Sequence, residues 1–276
     1  MDKKLTKEEV RTPDKMTLIL DRIAIWTGKN VVMVAGVVIS LLVLGGAFSV
    51  FDYFKTKKEN ELQSEMSRIE RQYTDKKTKF KEALQAENIK APAATKKETL
   101  KQETPMPALV KATGDLEKDY GSEVTGFQDL VVKNPKSKAA QMSAIYLAEI
   151  YSEYKQPEKA IETLNKVVPK NDASDILSAL AVNLKAGLLA DQGNCPQAVD
   201  IWQSIIQQKK ADYLHGEAKL RSAVCYEKMN DSTKAEQFYT ELSKSTVSKD
   251  EPEDKAVTED AKKYLRLLKM RASEGT

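Results

Sequence analysis

The chain has 276 residues, of which 31% are charged and 41% hydrophobic, and its net charge of +3 is spread thinly. Residues 1–30 carry +2, residues 52–108 carry +3 and residues 109–276 carry −2, so no segment has the basic excess of a nucleic-acid binder. With a single histidine, His215, two cysteines and no phosphate loop or nucleophile–base set, neither a metal, a cofactor nor a catalytic site is expected.

Residues 1–30 form a short N-terminal tail. It ends in an amphipathic patch from Leu18 to Trp26, with Trp26 placed where an aromatic ring sits at a membrane interface. Residues 31–51, VVMVAGVVISLLVLGGAFSVF, hold no charge over 21 positions. At about 1.5 Å per residue that run spans roughly 30 Å as a helix, the thickness of a bilayer's hydrocarbon core. A cleaved signal peptide fits poorly, because its apolar core is shorter and its basic region lies closer to the start. The expectation is an uncleaved, single-pass transmembrane helix that contacts lipid directly.

Flanking charge does not orient this helix. Arg11, Lys15, Arg22 and Lys29 precede it, and Lys55, Lys57, Lys58, Arg68 and Arg71 follow. The N-terminal side is short and the C-terminal side long, and long domains are translocated largely regardless of charge, so the reading is N-terminus inside and C-terminal region outside.

Residues 52–89 read as a charged juxtamembrane helix. Leu62, Met66, Ile69, Tyr73, Phe80 and Ala83 follow a heptad stripe that Lys76 interrupts. Two arrangements remain open: a seam between two copies of the chain, giving a homodimer, or packing against the chain's own domain. Residues 90–108, with Pro92, Pro105 and Pro107 and no apolar period, read as a flexible linker.

Residues 109–272 repeat. Phe127, Leu164, Trp202 and Tyr239 recur at intervals of 37, 38 and 37. Ala148, Ala186 and Ala223 keep the same register, as do Tyr151, Leu189 and Tyr226, and Ala160, Ala198 and Ala235. Small residues at fixed places let antiparallel helices cross closely, and a large residue one turn on fills the gap. The order Ala-x-x-Tyr, then Ala-x-x-x-large, then a turn is that of the tetratricopeptide repeat, so the fold class is all-α: one transmembrane helix, then a tetratricopeptide-repeat α-solenoid. Pro157 and Pro196 open second helices, and Asp231 caps another. Phe127 and Pro135 end an earlier copy whose first helix is not visible, since Glu123 stands in its alanine position. The stretch 256–270 suits a polar cap.

Stacking brings Cys195, at the start of one second helix, beside Cys225, near the end of the next first helix. A disulfide is expected there in an oxidising compartment, and two buried thiols in a reducing one. The first helices should line a concave face with Met142, Ile145 and Glu149, then Leu180 and Asn183, then Leu220, Val224 and Glu227. That mixed surface lacks the Lys/Asn set that clamps a C-terminal carboxylate, so extended or amphipathic segments of other proteins are the expected ligands.

The tail ending in Trp26-Thr27-Gly28-Lys29-Asn30, one spanning helix, the Tyr/Lys-rich exit from Tyr53 to Lys58 and the repeats together resemble the YfgM family. The resemblance implies an anchor in the bacterial inner membrane, repeats in the periplasm, and an ancillary role at the Sec translocon with periplasmic chaperones. The Pro-bearing linker interrupts a region that is more continuous in that family. Two functions follow: a membrane-anchored binding scaffold, or a structural protein that assembles envelope or organelle membranes by self-association. No enzymatic role is expected.

Overall fold

The computed structural model describes residues 15–90, 111–244 and 252–274. Apart from Lys90, the linker expected at 90–108 lies outside the described residues, as does the tail up to residue 14. The regular elements are helices, and the chain divides into two compact units, Met1–Lys58 and Glu59–Thr276.

In the first unit, helix α1 (Lys15–Lys29) is followed by the opening of helix α2 (Val31–Lys90). Asn30 joins them with little loss of hydrogen bonding. Its backbone N–H and side-chain amide both donate to the Trp26 carbonyl, at 3.1 and 2.9 Å, and its own carbonyl accepts from Val34 N–H at 3.0 Å. The apolar window of α2 has a mean hydropathy of 2.6, and none of it is buried inside the protein. By length and composition this helix can cross a membrane, where such a surface is solvated by lipid. Trp26, at the end of α1, is exposed in the same way.

The second unit stacks antiparallel helices. Residues 59–90 of α2 pair with α3 (Leu116–Lys133) through contacts of Ile69, Tyr73 and Lys76 with Gly126, Tyr120 and Glu123. Helix α4 (Lys138–Glu153) pairs with α5 (Pro157–Val167), α6 (Ile176–Asp191) with α7 (Cys195–Gln207), and α8 (His215–Lys228) with α9 (Ser232–Lys244). Helix α10 (Pro252–Glu274) packs last, against α9 and α8. The repeat columns are its core. Ala148, Ala186, Ala223, Ala160, Ala198 and Ala235 are fully buried, as are Phe127, Leu164, Trp202 and Tyr239, while Tyr151, Leu189 and Tyr226 are buried nearly so.

A further column appears in the turns. Lys155, Gly193 and Asn230 each adopt a left-handed backbone, with φ of 56°, 82° and 61°. Helices α4, α6 and α8 end with the same paired bonds. The following residue, Gln156, Asn194 or Asp231, donates to the carbonyl of Tyr151, Leu189 or Tyr226 at 2.7, 2.8 and 2.9 Å. This closure satisfies carbonyls a helix end leaves open, and it reverses the chain in a few residues. Helix starts are capped locally: Asp115, Ser137 and Asp175 accept backbone N–H groups at the openings of α3, α4 and α6.

The heptad stripe turns inward onto the chain itself. Ile69, Tyr73 and Ala83 are buried, and Leu62, Met66 and Phe80 pack beside them in the common core. Residues 59–90 thereby supply the first helix that the earlier copy lacks in its own sequence neighbourhood. Glu123, in that copy's alanine position, is buried at 2% exposure and accepts from Lys76 at 2.8 Å, the residue that interrupts the stripe. Close approach is shifted one turn along α3 to Gly126, where an added Cβ would lie 2.8 Å from Ile69 Cδ1. Two irregularities in the sequence are thus two halves of one contact.

Candidate protein-binding groove

The first helices stand side by side, and polar ties join each to the next. Tyr146 Oη on α4 donates to Glu70 Oε1 on α2, and Lys77 Nζ on α2 donates to Glu153 Oε1 at 2.6 Å. Gln141 on α4 donates to Ser178 Oγ on α6 at 3.2 Å, Asn183 on α6 to Glu217 on α8 at 3.3 Å, and Arg271 on α10 to Glu227 on α8 at 2.9 Å. Each tie crosses from one repeat to its neighbour, so the row is held as a continuous face.

The sequence-derived groove residues fall on these helices in distinct environments. Leu180 and Glu149 are exposed, Met142 is half-buried, and Ile145, Leu220 and Val224 are half-buried with their inner sides on the core. The remaining two are committed to the fold. Asn183 Oδ1 accepts the indole N–H of Trp202 at 2.9 Å while its amide reaches Glu217. Glu227 accepts the Tyr239 hydroxyl at 2.6 Å and the Arg271 guanidinium. The buried aromatics explain this: each carries a polar tip that needs a partner once it leaves water. Sequence reasoning missed Glu217 and Arg221, which pair at 2.7 Å on the same helix as Leu220 and Val224. Their i, i+4 spacing is the signal that marks them.

At the α2–α4 end the face is ringed by tyrosines and charge. Tyr73 packs on Tyr120 and Tyr146 with centroids 5.1 and 5.9 Å away, and Lys77 donates to the Tyr73 hydroxyl at 2.8 Å. Although Glu149 is exposed as a residue, the side chains packed around its carboxyl strip part of its hydration and raise it above its ordinary range; Lys77 opposes the shift and Glu153 adds to it. Tyr120 is pushed up to about 12 by burial, helped by Tyr73 and Glu153. Beneath, Asp119 is 3% exposed. Burial alone would raise its carboxyl, but the donors Thr113 N–H, Tyr154 Oη, Thr113 Oγ and Gly114 N–H outweigh it and hold the group below the usual carboxylate range.

Cys195 and Cys225 form a disulfide, with Cα atoms 5.2 Å apart and both residues buried. It ties the opening of α7 to the end of α8, so one repeat is covalently joined to the next. His215 opens α8 with Nε2 3.1 Å from the Gln208 carbonyl oxygen. Among the described residues no group of three or more His, Cys, Asp or Glu side chains is placed to hold a metal. One cavity of about 460 Å³ lies between α3, α4 and α5 beside Val132 and Lys159, one of about 330 Å³ lies against α6 and α7, and one of about 440 Å³ takes in Glu227 and Arg271 between α8, α9 and α10.

A family model of the tetratricopeptide repeat matches residues 217–245, which cover α8 from Glu217 and all of α9. No curated protein and no solved structure matches the chain. The matched hairpin shares its columns and its turn with those of α4–α5 and α6–α7. The protein is all-α, with one long apolar helix near the N-terminus followed by a tetratricopeptide-repeat solenoid. Repeats of this kind are protein-interaction modules.

Proposed function

We propose that the protein is a membrane-anchored scaffold whose row of first helices holds extended or amphipathic segments of other polypeptides. The observation that carries this reading is the face on which Met142, Ile145, Leu180, Leu220 and Val224 remain partly or fully accessible while Asn183 and Glu227 are spent on fixing its shape. Apolar side chains in a pre-formed row offer binding area without the cost of ordering the surface first. The resemblance to the YfgM family supports a finer statement: residues 31–51 lie in a bacterial inner membrane, the repeats lie in the periplasm, and the clients are polypeptides at the Sec translocon or on periplasmic chaperones. Assembly through the stalk is the weaker reading, because Ile69, Tyr73 and Ala83 are used within the chain.

Photo-crosslinking from the full chain in its membrane tests the scaffold. A crosslinker at Leu180 or Met142 is expected to capture translocating polypeptide, and one at Val132, beside the α3–α4–α5 cavity, is not; equal capture from both faces refutes the groove. For the topology, Cys195 and Cys225 should resist maleimide in permeabilised cells until a reductant is added. Free thiols reached only from the cytosol would refute the periplasmic placement.

A further inference from the structure

Lys185 sits on α6 and faces the pocket of about 330 Å³ against α7, yet it is only 8% exposed. Its Nζ makes one hydrogen bond, to Asn171 Oδ1 at 2.6 Å. Among the described residues no carboxylate lies within ion-pair distance of it. A buried ammonium with no ion-pair partner is costly, because one neutral hydrogen bond replaces only part of its lost hydration. Burial accordingly lowers its proton affinity below that of an ordinary lysine, with no opposing influence.

The surroundings favour one class of guest. Lys170 lines the same pocket, and the Asn171 amide, whose oxygen is taken by Lys185, has its N–H₂ left to donate. Gln197 adds a second amide. Asp200 is the one carboxylate in the lining; like Lys170 and Gln197 it is exposed, and it is not within ion-pair distance of Lys185. Two cations and two amides against one carboxylate leave the pocket short of negative charge.

We propose that this pocket binds an oxyanion, a phosphate or carboxylate group, with Lys185 as its charged anchor and Asn171 as the residue that aims the ammonium. The site is separate from the groove of first helices and does not depend on it. The oxyanion can belong to a free small molecule or to an acidic side chain of a bound polypeptide, and the two sources present the same chemistry to Lys185.

The test uses the full chain at constant ionic strength, titrated with inorganic phosphate and, separately, with acetate. At about ten times the dissociation constant, the bound anion is expected to raise Tm by about 3–6 °C, as linkage requires for a ligand that binds only the folded state. It is also expected to slow amine acylation of Lys185, read by peptide mass spectrometry, by at least about fivefold, because an anion-paired ammonium is less often deprotonated. Lys185→Met removes the charge while keeping a flexible apolar side chain, and should fold and lose the Tm response to phosphate. Asn171→Asp puts an internal carboxylate beside Nζ, at a position whose φ of 52° aspartate tolerates, and should fold and lose the phosphate response as well. A response to phosphate alone or acetate alone supports the site and identifies the class. A response to neither, or an undiminished phosphate response in both variants, overturns it.

Discussion

The hairpin made by residues 59–90 with α3 and the hairpin α6–α7 solve the same packing problem with different chemistry. In α6–α7, Ala186 and Ala198 allow the helices to close, Trp202 fills the space, and a turn centred on Gly193 joins the two. In the first hairpin the alanine position holds Glu123, the close contact moves to Gly126, and the partner helix lies across residues 91–115. A local hairpin can repeat a simple small–large pattern, because its turn fixes the register. A hairpin closed over a long connection lacks that guide, and here its register is set by the Lys76–Glu123 pair, which only one alignment satisfies. The first hairpin trades packing economy for a polar lock.

The largest effect is expected in the local hairpin. Trp202→Ala in the full chain should cost about 3–5 kcal/mol by urea denaturation, since it empties a fully buried site and strips Asn183 Oδ1 of its donor. On the other side, Lys76→Met should cost about 1–3 kcal/mol, less than for a fully enclosed pair because Lys76 is 38% exposed. The added exchange Glu123→Ala, which restores the periodic residue, should recover most of that loss. A double-mutant cycle with no coupling between the two positions would remove the lock from this account.

Acid sharpens the contrast further. Asp119 has a folded-state proton affinity below its unfolded one, so its contribution is present above the ordinary carboxylate range near pH 4 and fades as the pH falls through its depressed value. Hydrogen exchange below about pH 4 should therefore open the start of α3 before the Cys195–Cys225 region, and Asp119→Asn should remove that part of the pH dependence. The smallest effect concerns the turn column. Lys155→Gly should stabilise by about 0.5–1 kcal/mol, because glycine holds a positive φ without the Cβ clash, while Gly193→Ala should cost about 1 kcal/mol for the same reason reversed.

How far the sequence could be read differs between these regions. The three later hairpins were legible because a close crossing places the same demand at the same point of each copy, and alanine is its visible trace. The left-handed turn column was harder to see, since Lys155, Gly193 and Asn230 share a conformation and no side-chain chemistry. In the first hairpin Lys76 looked like a flaw in a heptad and Glu123 like a flaw in a repeat. Each is explained only by the other, 47 residues away. The proposed groove residues were legible as positions on the first helices, but their commitment to bonds within the fold was not. Asn183 and Glu227 occupy surface-like positions, and only the approach of Trp202 and Tyr239 reveals that their polar atoms are already in use.

The sequence by itself determined the helical class, the apolar run long enough for a bilayer, the period of the hairpins and the nearness of the two cysteines, because all of these follow from patterns within one helix or between neighbouring ones. Only the tertiary structure decided that the stalk closes onto its own chain, that a half-buried charge pair sets its register, and that Lys185 is buried beside a pocket with no ion-pair partner among the described residues. Those outcomes depend on which polar groups meet after burial, and a side chain's partner across the fold leaves no periodic mark along the chain.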